Sequence, residues 1–482
     1  MIDNPTRTSA LDLDSVKKAA LIPLAGRIFV NRNLRMSGLE AIGFDMDHTL
    51  AVYDPGPFEE LAFDQTKAKL LAAGYPPELA SVRYDAAFVI RGLVIDKKRG
   101  NILKMDQHRY VARAYHGMRP VPDERRKRLY QRKPIHLSGD DYATIDTPFS
   151  LPEIDLYGQI VELADRRSWR PRDYGKIYDD VRRAADEAHA DGSIKNRIAS
   201  DPDRFLLRDP ALPATLHRMK EHGYRLFLLT NSEAAYTSLI MDHLLSGQIA
   251  QRRAWTEFFD LIVVRAGKPG FFRNRSAARE AVLPGVGSPQ EAAKAVTGGG
   301  VWELERRLGC QGDRILYFGD HTYGDILKSK RVRLWRTAMV VQELEKEIIT
   351  MERLSGLLTE LRERLSQRDA LDLVRDHFQG VLQESVPPKA PHLTRRAVAQ
   401  LLESVTREIE SVEARIQQLE DTYESEHNLH WGPLFRTGLE LSHFAAQLRD
   451  FACIYTSRVS NFLHYPMDKY FQAHAERMPH EI

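Results

Sequence analysis

The sequence predicts an α/β protein with a Rossmann-like core and a mostly parallel sheet. It also predicts a large α+β cap inserted after the first motif of the core and a helical extension towards the C-terminus. Three observations lead to this fold class. Short apolar segments that end in polar clusters are typical of buried parallel strands. The first two clusters are separated by about 180 residues, far more than one crossover connection needs. After about residue 340, apolar residues recur at heptad spacing.

Length and composition narrow the class of protein. At 482 residues the chain exceeds the size at which one hydrophobic core stops growing, so we expect several domains. The formal net charge is only +2, which predicts no nucleic-acid partner. Two cysteines, Cys310 and Cys453, are too few for a disulfide framework and favour a reducing compartment. We find neither a signal peptide nor a membrane-spanning apolar segment, so we expect a cytoplasmic protein with no membrane partner.

Four apolar segments supply the predicted core strands. They comprise residues 39–44, 224–229, 259–264 and 315–318. In parallel α/β sheets, ligands bind beyond the carboxyl ends of the strands. The polar residues that follow these segments are therefore candidates for one common site.

We predict four regions along the chain. Residues 1–60 and 202–340 would form the core, and residues 61–201 the cap. Residues 341–426 would form a helical hairpin, and residues 427–482, which are rich in aromatic side chains, would pack back on the core.

The hairpin prediction depends on two apolar seams. Apolar residues recur every three or four positions in 344–365 and again in 405–423. Pro387, Pro388 and Pro391 lie between the seams and cannot continue a helix. So regular a seam predicts self-association, as a dimer or tetramer, or a binding partner. The alternative is that the two helices pack only on each other.

Asp45 and Asp47 follow the first predicted strand in the string Asp-Met-Asp-His-Thr. Two carboxylates separated by one residue face the same side of an extended backbone. One of them can attack phosphorus while the other gives and takes protons. Taken alone, a strand-end turn with solvated acids explains the pair equally well.

The next two strand ends offer groups for binding phosphate. Thr230, Asn231 and Ser232 provide hydroxyl and amide groups suited to phosphate oxygens. Lys268 could neutralise a pentacoordinate phosphorus. Taken singly, a helix N-cap and a surface lysine are the simpler explanations.

Asp320 and Asp325 follow the last predicted strand, in the string Gly-Asp-His-Thr-Tyr-Gly-Asp. Mg²⁺ prefers oxygen ligands and usually takes one or two carboxylates together with water and phosphate. With Asp45, these two residues meet that need, although a glycine-rich turn is the plain alternative.

In their joint order, the four groups resemble the four motifs of the haloacid-dehalogenase superfamily. The resemblance implies that Asp45 is the nucleophile of an aspartyl-phosphate mechanism. It implies that Asp47 is the general acid and base and also binds Mg²⁺ through its backbone carbonyl. Thr230 and Lys268 would bind phosphate.

A narrower resemblance is to purine 5'-nucleotidases of cytosolic type II. It covers the segments 30–34, 45–53, 91–94, 100–104 and 319–330. The resemblance implies hydrolysis of purine nucleoside 5'-monophosphates, with a preference for IMP and GMP. It also implies transfer of the phosphoryl group to a nucleoside.

In that family, a cap helix carries the residues that recognise the base and the sugar. The matching residues here are Arg182, Asp186, His189 and Lys195. The first three are spaced by four and three residues, so they share one helical face. Without the resemblance, Arg182 and Asp186 would be an ordinary surface pair.

Two positions depart from the family pattern. Met118 stands where the family has an aromatic residue that stacks on the base, and Ala190 replaces a neighbouring tyrosine. The resemblance therefore makes Met118 a candidate substrate-binding residue. The family's acidic tail is absent, so allosteric regulation does not carry over.

Two other functions remain open. The chain could be a phosphatase of another ester, such as a sugar phosphate. It could also be a catalytically silent scaffold that uses its helical hairpin. Five intact residues argue against the scaffold: Asp45, Asp47, Lys268, Asp320 and Asp325.

Overall fold

The computed structural model describes residues 21–131, 135–137, 139–166, 173–286, 289–383 and 394–474. The chain divides into two compact units. The core unit comprises Met1–Val52, Leu207–Glu345 and Phe451–Ile482, and the cap unit comprises Tyr53–Leu206 and Lys346–Asp450.

The strands, in chain order, are β1 Phe29–Val30, β2 Leu34–Arg35, β3 Ala41–Phe44, β4 Val94–Asp96, β5 Asn101–Met105, β6 Val111–His116, β7 Arg119–Pro120, β8 Tyr142–Thr144, β9 Arg225–Leu229, β10 Leu261–Val264, β11 Arg279–Glu280, β12 Ala295–Thr297, β13 Ile315–Gly319, β14 Arg336–Val340, β15 Arg436–Thr437, β16 Glu440–Leu441, β17 Ile454–Thr456 and β18 Tyr470–Phe471.

The helices are α1 Pro55–Ala72, α2 Asp123–Tyr130, α3 Leu151–Arg166, α4 Tyr174–Ala190, α5 Lys195–Ser200, α6 Pro202–Phe205, α7 Ala211–Glu221, α8 Ala234–Leu245, α9 Pro289–Ala292, α10 Val301–Leu308, α11 Lys328–Arg333, α12 Glu343–Arg353, α13 Ser355–Leu382, α14 Arg395–His427 and α15 His443–Phe451. Over the described ranges, none of these helices combines the length and apolar character needed to cross a membrane.

A nine-stranded sheet forms the centre of the core unit. Its strand order is β1-β17-β14-β13-β3-β9-β10-β12-β11. All neighbouring pairs are parallel except the pairs at the two edges, β1 with β17 and β11 with β12. Every residue of β3, β10 and β13 is buried, which explains why their sequences are continuously apolar. With the cap sheet and the C-terminal helices, this topology confirms the predicted fold class.

Gly43 allows a close approach between the two central strands β3 and β9. It lies directly opposite Phe227 in the sheet register. A Cβ atom at Gly43 would lie 2.0 Å from Cζ of the Phe227 ring. The ring of Phe227 is fully buried and packs against Tyr317 and Trp335, so it has little room to move.

A five-stranded antiparallel sheet, in the order β7-β6-β5-β4-β8, lies in the cap unit. Helices α1, α3 and α4 supply many of the buried residues of this unit. Its main apolar cluster includes Phe63, Ile154, Tyr157 and Val181, together with Trp431 from much later in the chain. The indole of Trp431 donates a hydrogen bond to the carbonyl oxygen of Phe88 at 2.5 Å.

The position of Trp431 corrects one predicted boundary. Residues 427–482 were expected to pack back on the core as one segment. Instead, the chain as far as Asp450 belongs to the cap unit, and the segment from Phe451 belongs to the core unit. Aromatic content alone predicted burial here but could not tell which of two cores would receive these side chains.

Helices α13 and α14 pack against each other within the cap unit. The predicted seam residues Ile409, Val412, Ile416 and Leu419 are buried, and the last three cluster with Leu361 of α13. The first predicted helix is interrupted at Leu354, before Ser355 and Gly356, which have low helix propensity. The prolines proposed to turn the hairpin lie outside the described residues. Much of the seam is thus buried inside the hairpin, and self-association stays a prediction.

Replacing Gly43 by alanine should destabilise the core unit, because the new methyl group would overlap the Phe227 ring. Overpacking of this kind costs about 1–3 kcal/mol of unfolding free energy. Urea denaturation followed by tryptophan fluorescence would measure it. Gly38→Ala is the matched control, since no atom lies within 4 Å of its added Cβ. Equal denaturation midpoints for the two variants would contradict the prediction.

Candidate active site

Four neighbouring strands position the candidate catalytic residues. In the order β13-β3-β9-β10, each strand is parallel to the next, so their carboxyl ends share one edge of the sheet. These ends carry the candidate residues Asp320, Asp45, Thr230 and Lys268, respectively, on the strand or the loop that follows it. The structure thus brings together residues that are more than 270 positions apart in the chain.

The ammonium group of Lys268 lies between two carboxylates. Its Nζ atom is 2.8 Å from Asp45 Oδ2 and 2.8 Å from Asp325 Oδ1. Burial by itself lowers the pKa of Lys268, but the negative charges of Asp325 and Asp45 outweigh it and raise the pKa well above its usual value. Lys268 is therefore a permanent positive charge in this site.

Asp45 is held in place at both of its carboxylate oxygens. Oδ1 accepts a hydrogen bond from the Met46 backbone N–H at 2.7 Å, while Oδ2 faces Lys268. Burial raises the pKa of Asp45 to about 7, Lys268 opposes this rise, and Asp325 and Asp47 add to it. A nucleophilic carboxylate must be ionised, so a further cation beside Asp45 would favour the reactive form.

The carboxylates of Asp45, Asp320 and Asp325 form a cluster that fits a divalent cation. One oxygen from each lies within 4.8 Å of the others, and Asp320 and Asp325 are buried. Lys268 pairs with Asp45 and Asp325, and Asp47 is close enough to Asp45 for its charge to raise the pKa of that residue. Buried negative charge in such excess requires compensation, and oxygen ligands of this kind suit Mg²⁺. We therefore expect these three residues to hold the ion. The fourth predicted ligand, the backbone carbonyl of Asp47, stays a prediction.

Ser232 contacts the second aspartate of the site. Its hydroxyl donates a hydrogen bond to Asp47 Oδ2 at 2.8 Å. The backbone N–H of Ser232 in turn donates to Thr230 Oγ1 at 3.0 Å. The sequence predicted only a phosphate-binding role for Ser232, whereas the structure shows it orienting Asp47. Phosphate binding by Thr230 and Ser232 stays a prediction.

Asn231 is tied to the loop that carries Lys268. Its side-chain carbonyl accepts from the Lys268 backbone N–H at 2.7 Å, and its amide donates to the Lys268 backbone carbonyl at 3.1 Å. This reciprocal pair fixes the backbone from which the lysine side chain projects. The predicted substrate contact of Asn231 stays a prediction.

Tyr317 belongs to the site but was missed from the sequence. Its hydroxyl accepts a hydrogen bond from Lys268 Nζ at 3.0 Å. Burial, followed by the charge of Asp325, raises the pKa of this hydroxyl well above its usual value, so it stays neutral. The available signal was a single hydroxyl within an otherwise apolar strand, three residues before Asp320.

In the cap unit, Arg182 of α4 is anchored by two acids. Its guanidinium donates to Glu153 Oε1 at 2.9 Å and to Asp186 Oδ1 at 2.8 Å. A further bond of 3.1 Å reaches the hydroxyl of Ser150. Burial raises the pKa of Glu153 to about 7, although Arg182 lowers it. The pair of Arg182 and Asp186, which was the alternative to a substrate-binding role, is therefore present, and their predicted contacts with substrate stay a prediction. Glu153, on another helix, was not predicted.

The remaining cap candidates lie in different surroundings. His189 is half-buried, with its ring edge-on to Phe149 at 5.4 Å. Burial lowers the pKa of His189 to about 4, helped by the positive charges of Lys195 and Arg182, so its imidazole is neutral near pH 7. Lys195 begins α5.

Met118 packs against the main apolar cluster of the cap unit. Gly158 has no Cβ atom; one added there would lie 2.8 Å from the sulfur atom of Met118. The side chain thus takes part in the packing of the cap, and its predicted contact with substrate stays a prediction.

The sequence pattern of the 5' nucleotidase family matches residues 28–482. The chain belongs to the 5' nucleotidase family. A 5'-nucleotidase domain-containing protein of Dictyostelium discoideum is 29% identical over 469 residues, covering 94% of this chain and 75% of that protein. The 5'-nucleotidase domain-containing protein 2 of Homo sapiens is 28% identical over 474 residues, covering 94% of this chain and 85% of that protein.

The solved structures that match this chain include an archaeal beta-phosphoglucomutase from a Pyrococcus strain. It has a TM-score of 0.30 and 10% identity, and the match covers 63% of this chain and 88% of that chain. A haloacid-dehalogenase-like family hydrolase from Xanthomonas campestris has a TM-score of 0.24 and 12% identity, with coverage of 68% and 98%. The match over residues 28–482 confirms membership of the 5' nucleotidase family, while the narrower resemblance to the purine-specific cytosolic type II enzymes stays a prediction.

Removing one carboxylate from the cluster should weaken binding of a divalent cation. We expect Asp320→Asn to lower the affinity for Mg²⁺ or Mn²⁺ at least about tenfold, because a charged contact is worth roughly 1.5–3 kcal/mol. Isothermal titration calorimetry on metal-stripped protein would measure this. Asp313→Asn, at an exposed aspartate near the other end of β13, is the control. Unchanged affinity in Asp320→Asn would exclude Asp320 as a ligand.

Proposed function

We propose that this protein is a Mg²⁺-dependent 5'-nucleotidase that hydrolyses purine nucleoside 5'-monophosphates through an aspartyl-phosphate intermediate. The observation that carries the proposal is the buried carboxylate of Asp45, 2.8 Å from a permanently charged lysine and within the acidic cluster. A carboxylate held in this way can attack an anionic phosphate only if cations offset the repulsion, and the site supplies or attracts them.

In the first step, a carboxylate oxygen of Asp45 forms a bond to phosphorus, and the bond from phosphorus to the 5' oxygen of the nucleoside breaks. Asp47, in its protonated form, gives its proton to the departing oxygen. Lys268 stabilises the negative charge on the phosphoryl oxygens. A bound Mg²⁺ would add further positive charge beside these oxygens.

The second step releases phosphate and restores the enzyme. Asp47, now a carboxylate, takes a proton from a water molecule, and the water oxygen bonds to phosphorus. The bond between phosphorus and Asp45 breaks, which returns Asp45 as a carboxylate and Asp47 as an acid. The hydrogen bond from Ser232 keeps the Asp47 carboxylate oriented. Transfer to a nucleoside hydroxyl in place of water would give the phosphotransferase reaction.

Selection of the nucleotide is proposed to depend on polar groups of the cap unit. The core residues contact only phosphate and metal in this scheme, so they do not distinguish a nucleotide from a sugar phosphate. A site built to hydrogen-bond its substrate rejects molecules that leave its polar groups unpaired. The guanidinium of Arg182, held in a defined orientation by Glu153 and Asp186, and the neutral imidazole of His189 are such groups.

Changing Asp45 to asparagine should abolish turnover, because the amide is not a nucleophile towards phosphorus. Asp47→Asn should also inactivate, since both proton transfers are lost. Phosphate release from IMP, GMP, AMP, pyrimidine nucleotides and sugar phosphates with Mg²⁺ would measure both effects. Asp242→Asn, at an exposed position of α8, is the control and should remain active. Sustained hydrolysis by deamidation-free Asp45→Asn protein would reject the covalent mechanism.

Arg182→Ala should reduce kcat/KM for IMP about ten- to hundredfold while affecting a small phosphate ester such as p-nitrophenyl phosphate far less. The expected size follows from losing a hydrogen bond to a charged group, worth roughly 1.5–3 kcal/mol. His189→Ala should act in the same direction. Arg183→Ala is the matched control, because it removes a guanidinium from the next position of α4. An unchanged ratio of IMP to generic-ester activity in both test variants would show that other residues select the purine. A preference of the wild type for a sugar phosphate would favour the alternative function, a phosphatase of another ester.

A further inference from the structure

The hydroxyl group of Tyr317 connects three segments of the candidate active site. It accepts a hydrogen bond from Lys268 Nζ at 3.0 Å. It also lies 3.3 Å from Asp325 Oδ1 and 3.3 Å from the carbonyl oxygen of Leu229, the last residue of β9. Its single hydrogen can point to either of these acceptors.

The hydrogen bonds of Lys268 use all three hydrogens of its ammonium group. A lysine ammonium has three N–H donors and no acceptor. In this structure the three acceptors are Asp45 at 2.8 Å, Asp325 at 2.8 Å and Tyr317 at 3.0 Å. Without the hydroxyl, one donor of a buried cation would lack this partner, and such a loss is costly.

These three acceptors differ in what the proposed reaction does to them. Asp45 becomes bonded to phosphorus and loses its charge on the attacking oxygen. Asp325 is a candidate ligand of the metal ion. The hydroxyl of Tyr317 takes part in neither event, so the proposed reaction does not itself remove this acceptor from Lys268.

We propose that Tyr317 is a positioning residue that keeps the ammonium group of Lys268 directed at the transferred phosphoryl group while its two carboxylate partners change. This inference rests on the function proposed above. A neutral acceptor suits the position, because another carboxylate would add negative charge beside the cluster of Asp45, Asp320 and Asp325. The ring of Tyr317 packs against Phe227, Phe272 and Trp335. This packing keeps the hydroxyl in place if the lysine side chain shifts.

Tyr317→Phe tests the role of the hydroxyl, because it keeps the packed ring. The matched control is Tyr224→Phe in the same unit. The buried hydroxyl of Tyr224 lies 3.0 Å from the carbonyl oxygen of Met36 and 2.6 Å from that of Met467, either of which can accept its single hydrogen, and it is not part of the site. Both variants lose one buried hydroxyl and should show lowered Tm values, so stability alone does not distinguish them.

Kinetics distinguish the two variants. With Mg²⁺ and the best substrate of the wild type, we expect Tyr317→Phe to lower kcat about five- to tenfold and to change KM less than about twofold. Tyr224→Phe should keep kcat within about twofold of the wild type. A wild-type kcat in Tyr317→Phe would overturn the proposal, and so would an equal loss in both variants.

A binding measurement separates this proposal from the proposed function. If the wild type hydrolyses no phosphate ester, the nucleotidase proposal fails, and the affinity for inorganic phosphate with Mg²⁺ becomes the test of Tyr317. Weaker binding, by about fivefold, in Tyr317→Phe but not in Tyr224→Phe supports positioning of Lys268. Equal affinities of the two variants, or no binding by the wild type, reject it.

Discussion

The ammonium group of Lys268 lies 2.8 Å from each of two buried carboxylates, and much of the site's arrangement follows from this contact. Bringing charged groups out of water is costly unless they are paired and hydrogen-bonded. Lys268 offsets the charge of Asp45 and Asp325 but leaves a net negative charge, because Asp47 and Asp320 lie in the same site. Without a bound cation, this excess of negative charge is destabilising. The same carboxylates therefore favour binding of a cation.

The sheet explains why distant motifs of the sequence meet. Parallel neighbours in the order β13-β3-β9-β10 place four chain segments side by side with their carboxyl ends together. Buried parallel strands are continuously apolar, and each of these strands is followed by polar residues, so this part of the site could be predicted from sequence. The apolar seam of the hairpin could be predicted for the same reason, since periodicity records which face is buried.

Other features depend on contacts that no local pattern encodes. The partner of Arg182 is not only Asp186, four residues away, but also Glu153 on a different helix. The bonds of Asn231 to the backbone of Lys268 and of Ser232 to Asp47 join loops that are distant in sequence. Trp431 was recognisable as a core residue, but only the packing shows that its core is that of the cap unit. Sequence thus predicted the residues that carry charge better than those that orient them.

The strand order β1-β17-β14 has a consequence for synthesis of the chain on the ribosome. β17 lies between the first strand of the sheet and β14, although the cap-unit segment Lys346–Asp450 separates it from β14 in sequence. Until β17 emerges, β1 lacks its neighbour in the sheet and β14 exposes an unpaired edge. Unpaired strand edges promote association between chains, and large proteins are most exposed to it while incomplete. A nascent chain that ends before β17 therefore has an open sheet edge along β14, which is covered only when the last part of the core unit has been made.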